Sequence, residues 1–223
     1  MSVIRNLRWW SVLWLLAGVA AVALAWPFDT RVDAALDVGP SFSAGRRLAW
    51  WCSKIGEGWV IAVAGISLSA ICLMVNRPVT AARIVFVVLT AEFTGLVATF
   101  LRVLFGRTRP NYTDVPQGFY GVWHAGHWII GNSKFSAFPS GHVATVVGLT
   151  TATWLLHRGW GAVAAVYALA VMWSRIALQS HHLSDVVAST MLAIPLAVLL
   201  EQIVRPTVEF QFGNLHRELR PKK

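Results

Sequence analysis

The stretch Pro139-Ser140-Gly141-His142 separates a polar, loop-like segment from an apolar run that begins at Val143. Proline disfavours helix before it and can open one after it, serine can cap a helix N-terminus, and glycine lets the backbone approach a ligand closely. The first N–H groups of a helix are free, and its dipole attracts anions. His142 would therefore stand beside an anion site, with a side chain suited to proton transfer near neutral pH. A four-residue string is weak evidence alone, because these residue types usually form a turn.

The composition of the whole chain indicates a membrane protein. Of its 223 residues, 56% are hydrophobic and only 13% are charged, about half the charged share of a soluble domain. The formal net charge of +9 would by itself suggest a nucleic-acid partner. Many of the basic residues flank apolar runs, however, where they mark cytoplasmic helix ends or touch anionic headgroups. We therefore expect membrane lipids as partners and no nucleic acid.

Six apolar runs predict an all-α fold with six transmembrane helices packed in a bundle. The predicted spans cover residues 9–26, 58–75, 79–104, 140–157, 160–173 and 184–204, within a single membrane-embedded domain over residues 1–223. Residues 29–57 are predicted to be an outer loop that contains an interfacial amphipathic segment over residues 46–55. The first run ends in Ala23-Leu24-Ala25, which resembles a signal-peptidase site. The length of the run and its tryptophans favour a retained helix over a cleaved signal.

The distribution of basic residues predicts the orientation of the chain in a plasma (inner) membrane. Six spans place both termini on one side, and Lys and Arg concentrate in the N-terminal arm, the turn at residues 77–83, Arg158 and the C-terminal tail. The positive-inside rule makes that side cytoplasmic. Three polar clusters, at residues 102–110, 139–142 and 174–185, then lie together at the outer face.

These clusters would bring three guanidiniums together with two histidines and a carboxylate. The arginines are Arg102, Arg109 and Arg175, and a guanidinium matches phosphate oxygens with two parallel hydrogen bonds. His181 and Asp185 are four residues apart, so on a helix they share a face. Asp185 could then hold one ring N–H of His181 and leave the other ring nitrogen free to attack.

Each part of this arrangement also has a structural interpretation. Arg102 and Arg109 could extend to the interface as ordinary membrane-flanking arginines, and Asp185 could simply cap the sixth helix. Because all three polar clusters are expected at the outer face of the membrane, we favour a functional site over these separate structural roles. Glu92, near the centre of the third span, is either functional or a hydrogen-bonded structural residue. The His124-x2-His127 spacing is metal-like, but no third ligand is evident nearby.

The motifs Arg102-x6-Arg109-Pro110, Pro139-Ser140-Gly141-His142 and Ser174-Arg175-x5-His181-x3-Asp185 resemble, in order, the three-part signature of the type-2 phosphatidic acid phosphatase superfamily. Together the three motifs are highly specific, although each is weak alone. The chain departs from the family at Arg102, where lysine is usual. Residues 1–78 carry no motif.

The resemblance implies a lipid phosphatase that needs no metal or cofactor. It assigns covalent attack to His181, orientation of His181 to Asp185, and proton transfer to and from the leaving oxygen to His142. Phosphate binding falls to the three arginines and to backbone N–H groups near Ser140 and Gly141. The substrate would be a lipid phosphate: undecaprenyl diphosphate is our first choice, with phosphatidylglycerophosphate, phosphatidate and lipid A phosphate as alternatives. Two other activities remain open, a lipid phosphotransferase using the same site and a transporter using Glu92 and the histidines.

Overall fold

The structure is a computed structural model that describes residues 2–40 and 42–211, with side chains from residue 10 except at residue 41. The α-helices are, in chain order, α1 (Ser2–Ala25), α2 (Asp29–Leu36), α3 (Ala44–Ile55), α4 (Gly58–Met74), α5 (Pro78–Phe105), α6 (Gly141–Leu156), α7 (Arg158–Ala177) and α8 (Leu183–Ile203). Strands β1 (Trp123–His124) and β2 (His127–Trp128) form an antiparallel hairpin between α5 and α6. The basic residues Arg217, Arg220, Lys222 and Lys223 lie outside the described residues, so their part in the orientation stays a prediction.

Each predicted span coincides with a helix, but the helices differ in length. Four helical stretches of the described chain are long and apolar enough to cross a bilayer: Trp10–Leu36, Pro78–Phe105, Arg158–Ala177 and Leu183–Ile203. Helices α3 and α4 meet at a bend of 56° and together could form a fifth. Helix α6 has 16 residues, about 24 Å of helix against a hydrocarbon core of about 30 Å. By length and composition, the described residues therefore contain four or five candidate spans, and the remaining predicted span corresponds to the shorter apolar helix α6.

Helices α5 and α6 pack closely because each presents a glycine to a threonine of the other. A Cβ atom on Gly95 would lie 2.0 Å from Thr145 Oγ1, and one on Gly148 would lie 2.2 Å from Thr94 Oγ1. Small residues allow this close approach of backbones in membrane helices. The contact fixes the position of α6 along α5, and with it the position of the motif at the start of α6.

Helix α6 does not begin level with the end of α5 but further back along the α5 axis. A Cβ atom on Gly141, the first residue of α6, would lie 2.9 Å from Thr99 Oγ1. Thr99 precedes the end of α5 at Phe105 by six residues, about 9 Å of helix. An apolar cluster then joins this end of α5 to α6, α7 and α8; its buried members are Ala98, Val143, Ala144, Val147, Ile176, Val186 and Ala193.

Two predicted boundaries were wrong, for related reasons. Helix α7 continues to Ala177, past the predicted end at residue 173, because Arg175 is buried with a polar partner and does not force the helix to end. Residues 29–57, predicted to be a loop apart from one amphipathic segment, also contain helix α2. Asp29 and Asp33 on α2 are both buried, where Asp29 contacts Arg107 and Ser184 and Asp33 contacts His182.

Candidate active site

The predicted arginines and histidines meet at one end of α5, α6, α7 and α8. Arg102 lies in the last turn of α5, and Arg175 lies in the last turn of α7. Arg109 is close enough to interact electrostatically with both. Burial lowers the pKa of the Arg109 guanidinium from its ordinary value. His142 interacts with Arg175 and Arg102 in the same way, so the structure brings together the cationic cluster that the spacing predicted.

The orientation of His181 is set by a backbone carbonyl. Its Nδ1 lies 2.6 Å from the carbonyl oxygen of Ala137. A carbonyl only accepts hydrogen bonds, so Nδ1 carries the proton and Nε2 has a free lone pair. His181 is fully buried, and its Nε2 has no hydrogen-bond partner among the described residues. Burial lowers the pKa of His181 well below its ordinary value, and the positive charges of Arg175 and Arg109 lower it further.

The predicted hydrogen bond from the His181 ring N–H to the Asp185 carboxylate is not formed. Asp185 Oδ2 lies 3.6 Å from His181 Nδ1 and accepts a hydrogen bond of 2.8 Å from the backbone N–H of His182. His181 precedes α8, which begins at Leu183, so the two residues are not stacked on one helix as the four-residue spacing assumed. Asp185 therefore acts on the His181 backbone and its surroundings rather than as the acceptor of the ring proton.

Arg107 is the main residue of this region that the sequence analysis missed. Its guanidinium forms ion pairs with Asp185 and, at 2.7 Å, with Asp29, and donates a hydrogen bond of 2.7 Å to the Ser184 hydroxyl. The residue is only 4% exposed. It also lies over the Trp26 ring, 4.1 Å from the centroid. Asp29 in turn accepts hydrogen bonds from the Ser184 N–H and hydroxyl, at 2.8 and 2.6 Å. Arg107 thus joins α2, the α5–α6 loop and the start of α8 in one buried ionic network.

A second buried contact fixes His182, which the sequence presented only as a neighbour of His181. His182 Nδ1 lies 2.6 Å from Asp33 Oδ2, and Nε2 lies 3.2 Å from Gln117 Oε1. Substitution of His182 would leave Asp33 without this buried partner. We therefore expect loss of stability from His182→Ala, rather than the mild effect predicted for a side chain that points away from His181 on a helix.

Helix α6 begins within the motif Pro139-Ser140-Gly141-His142, as predicted, but its N-terminus differs from the prediction in one respect. Ser140 occupies the N-cap position, but its hydroxyl does not cap the helix. Its backbone N–H donates to Ser189 Oγ at 2.7 Å, while its buried Oγ has no partner among the described residues. A Cβ atom on Gly141 would lie 3.8 Å from an Nη of Arg102. The free N–H groups of α6 therefore open beside the arginine cluster.

Three residues with possible functional signals lie outside this cluster. A Cβ atom on Gly58 would lie 2.6 Å from Glu92 Oε2, so Glu92 rests against the first turn of α4. Glu92 precedes Thr99, the α5 residue beside Gly141, by seven residues, which is about 10 Å along α5. His124 and His127 face each other across the β1–β2 hairpin, and no group of three metal-ligating side chains occurs in the part of the chain that the structure describes.

Comparison with known proteins agrees with the geometry. The sequence profile of the PAP2 superfamily matches residues 80–208, which is more than half of the chain. A lipid A 1-phosphatase of Rhizobium johnstonii is 32% identical over 99 residues, which cover 44% of this chain and 38% of that protein. A lipid A 1-phosphatase of Rhizobium etli is 31% identical over 99 residues, covering 44% of this chain and 40% of the relative. The matched region thus spans about two fifths of the length of these relatives. No solved structure matches the chain.

Proposed function

The chain belongs to the PAP2 superfamily, and from this we propose that it is an integral membrane phosphatase acting on a lipid phosphate or diphosphate. One observation carries the proposal. Four buried polar atoms of the cluster have no partner among the described residues: Arg109 Nε, Arg175 Nε, Ser140 Oγ and His181 Nε2. Three of them are donors suited to phosphate oxygens, and the fourth is a nucleophile. A phosphoryl group would satisfy all four.

The residue roles follow from this arrangement. Arg102, Arg109, Arg175, the Ser140 hydroxyl and the N–H groups of the first turn of α6 bind the phosphate oxygens. His181 Nε2 attacks phosphorus, the bond from phosphorus to the leaving oxygen breaks, and His142 donates a proton to that oxygen. Asp185 keeps His181 in place through the loop that carries it. Burial lowers the pKa of His181 and so favours the neutral form of the ring, which is the nucleophilic one.

The second half of the reaction regenerates the enzyme. The phosphohistidine formed on His181 is attacked by water, and His142 removes a proton from the water as the bond from nitrogen to phosphorus breaks. Inorganic phosphate then leaves. The guanidiniums supply the positive charge that a metal ion supplies in other phosphatases, so we propose that neither metal nor cofactor takes part.

The three arginines should not tolerate lysine equally. Arg102 stands where the family usually has lysine, so Arg102→Lys should keep most of the activity. Arg109→Lys should lose roughly tenfold more, because lysine cannot reproduce two parallel hydrogen bonds to phosphate. The measurement is kcat/KM for one lipid phosphate with both variants in the same detergent. Equal losses in the two variants would contradict this ranking.

We propose a topology of six spans arranged as a bundle within one domain, in the plasma (inner) membrane, with both termini in the cytoplasm and the active site outside. The basic residues of the sequence support this orientation. On a background without Cys52 and Cys72, a cysteine at position 124 should react with an impermeant maleimide added from outside, and a cysteine at position 76 should react only from inside. Labelling of both positions from the same side of sealed membranes would rule out this topology.

The depth of the site supports a membrane-embedded substrate. Helix α6 begins about 9 Å below the end of α5, and the side chains that surround this end include Phe100 and Leu104, 65% and 48% exposed. A substrate whose tail lies in the bilayer would present its headgroup at this depth. The sequence made undecaprenyl diphosphate the first choice, whereas the relatives are lipid A 1-phosphatases. We therefore place a lipid A phosphate beside undecaprenyl diphosphate as the leading candidates.

A phosphate-release panel tests the proposed function. Purified protein would be given lipid A 1-phosphate, undecaprenyl diphosphate, phosphatidylglycerophosphate and phosphatidate in the same detergent, with and without EDTA. Release of inorganic phosphate from at least one lipid, undiminished by EDTA, is the expected result. His181→Ala in parallel controls for contaminating phosphatases. No release from any lipid would contradict the proposed function, and loss in EDTA with rescue by a divalent ion would contradict the metal-free mechanism.

A further inference from the structure

The bend between α3 and α4, residues 53–59, which we call the corner, borders the active site. Building on the phosphatase function above, we propose that its Lys54–Glu57 ion pair determines which leaving group the site accepts. The pair would favour a neutral lipid alcohol and disfavour a leaving group that is itself a phosphate. The corner lies before residue 80, where the match to the superfamily begins.

The corner is held against the arginine of α7. Arg175 Nη1 donates to Ser53 Oγ at 2.5 Å, and both residues are buried. One helical turn before Arg175, Val171 packs on Gly56 so tightly that a Cβ atom there would lie 2.6 Å from Val171 Cγ1. A further turn away, the Tyr167 hydroxyl donates to the Ile55 carbonyl at 2.6 Å. These three contacts fix the corner relative to the phosphate-binding residues.

Within the corner, the carboxylate of Glu57 is held on both oxygens. Lys54 Nζ donates to one oxygen at 2.7 Å, and Trp59 Nε1 donates to the other at 2.6 Å. The charge of Glu57 interacts with His142 and with Arg175. Because His142 is the residue assigned to protonate the leaving oxygen, its interaction with Glu57 puts this carboxylate on the leaving-group side in our proposal.

The chemistry of the leaving group explains why this charge matters. When a lipid phosphomonoester is cleaved, His181 attacks its phosphorus and a neutral lipid alcohol leaves. When a lipid diphosphate is cleaved at its terminal phosphorus, the leaving group is a lipid monophosphate, which brings a second anion to the side of His142. Because Glu57 is paired with Lys54, this ion pair offers the second anion no unpaired cation to bind.

Two substitutions of the pair should shift substrate preference in opposite directions. Farnesyl phosphate and farnesyl diphosphate carry the same tail and differ only in the leaving group. Glu57→Gln leaves Lys54 unpaired, so the ratio of kcat/KM for diphosphate over monophosphate should rise about tenfold. Lys54→Gln leaves Glu57 unpaired, so the same ratio should fall by a comparable factor. A purely structural role would not move the ratio in opposite directions.

The ratio of two substrates on one preparation does not depend on how much of the protein is folded, so partial unfolding cannot produce the expected pattern. Glu57→Asp should restore a ratio near wild type. Asp37→Asn removes an exposed carboxylate just after α2, which accepts a hydrogen bond from the Gly39 N–H, and should leave the ratio unchanged. An unchanged ratio in both corner variants, or a shift in the same direction, would overturn the inference. A wild type that cleaves neither compound, nor any lipid of the panel, would instead overturn the proposed function.

Discussion

Replacing His181 by alanine should reduce phosphate release by four orders of magnitude or more (~10⁴), because the proposed covalent intermediate forms on its Nε2. His142→Gln should cost about 10²–10⁴-fold, the usual contribution of general acid–base catalysis. The two variants should also differ in kind. Without His181 no phosphoenzyme forms, whereas without His142 the intermediate forms slowly and is hydrolysed more slowly still. Single-turnover measurement of phosphate release with excess enzyme separates these cases.

An exposed histidine of the hairpin provides the matched control for these variants. His127 is exposed on β2, and His127→Ala should keep activity within about twofold, as is usual for surface substitutions. If His181→Ala retained one tenth of the wild-type rate, or if His127→Ala lost as much as His142→Gln, the assignment of roles would be wrong.

The second large effect is expected at Arg107. Arg107→Gln leaves Asp29 and Asp185 buried without their cation, which should cost about 3–5 kcal/mol of unfolding free energy. Activity should fall with it, because Asp185 is the group that holds the backbone of the His181 loop. Thermal unfolding in detergent and kcat on the same preparation are the two measurements.

A double variant separates the structural effect from the catalytic one. Adding Asp29→Asn to Arg107→Gln removes one of the two unpaired carboxylates, so part of the lost stability should return. The activity should stay low, because Asp185 still lacks its partner. Arg47→Gln, on an exposed side chain of α3, should change stability by less than about 0.5 kcal/mol. A stable and fully active Arg107→Gln variant would show that Arg107 is needed neither for the fold nor for catalysis.

The helices and the cationic cluster could be predicted because their signals are local. Long apolar runs determine helices in a bilayer, where the backbone must satisfy its own hydrogen bonds, and each of the six predicted spans coincides with a helix. The motif residues lie at the end of α5, the start of α6, the end of α7 and just before the start of α8. In consecutive antiparallel helices these ends lie on the same side, so the motif residues come together. Span count was less predictable, since α6, at 16 residues, is shorter than a membrane core requires.

The contacts that position the cluster could not be predicted, because they join residues far apart in sequence. Arg107 and Asp29 are separated by 78 positions, and Arg175 and Ser53 by 122. No periodicity or spacing indicates such pairs. The predicted hydrogen bond between the His181 ring and Asp185 was wrong for a different reason. The four-residue spacing aligns the two side chains only on a continuous helix, but α8 begins after His181. The Ala137 carbonyl accepts the hydrogen bond of the ring N–H instead.

The most direct test of the central claim is a search for phosphate bound covalently to His181 during turnover. Wild-type protein would be mixed with a lipid phosphate labelled in its phosphoryl group, quenched in alkaline denaturant, where phosphohistidine survives, and assayed for label that acid removes. Acid-labile label on wild type and on His142→Gln, with none on His181→Ala, is the predicted result. Label of the same kind on His181→Ala would show that another residue is the nucleophile.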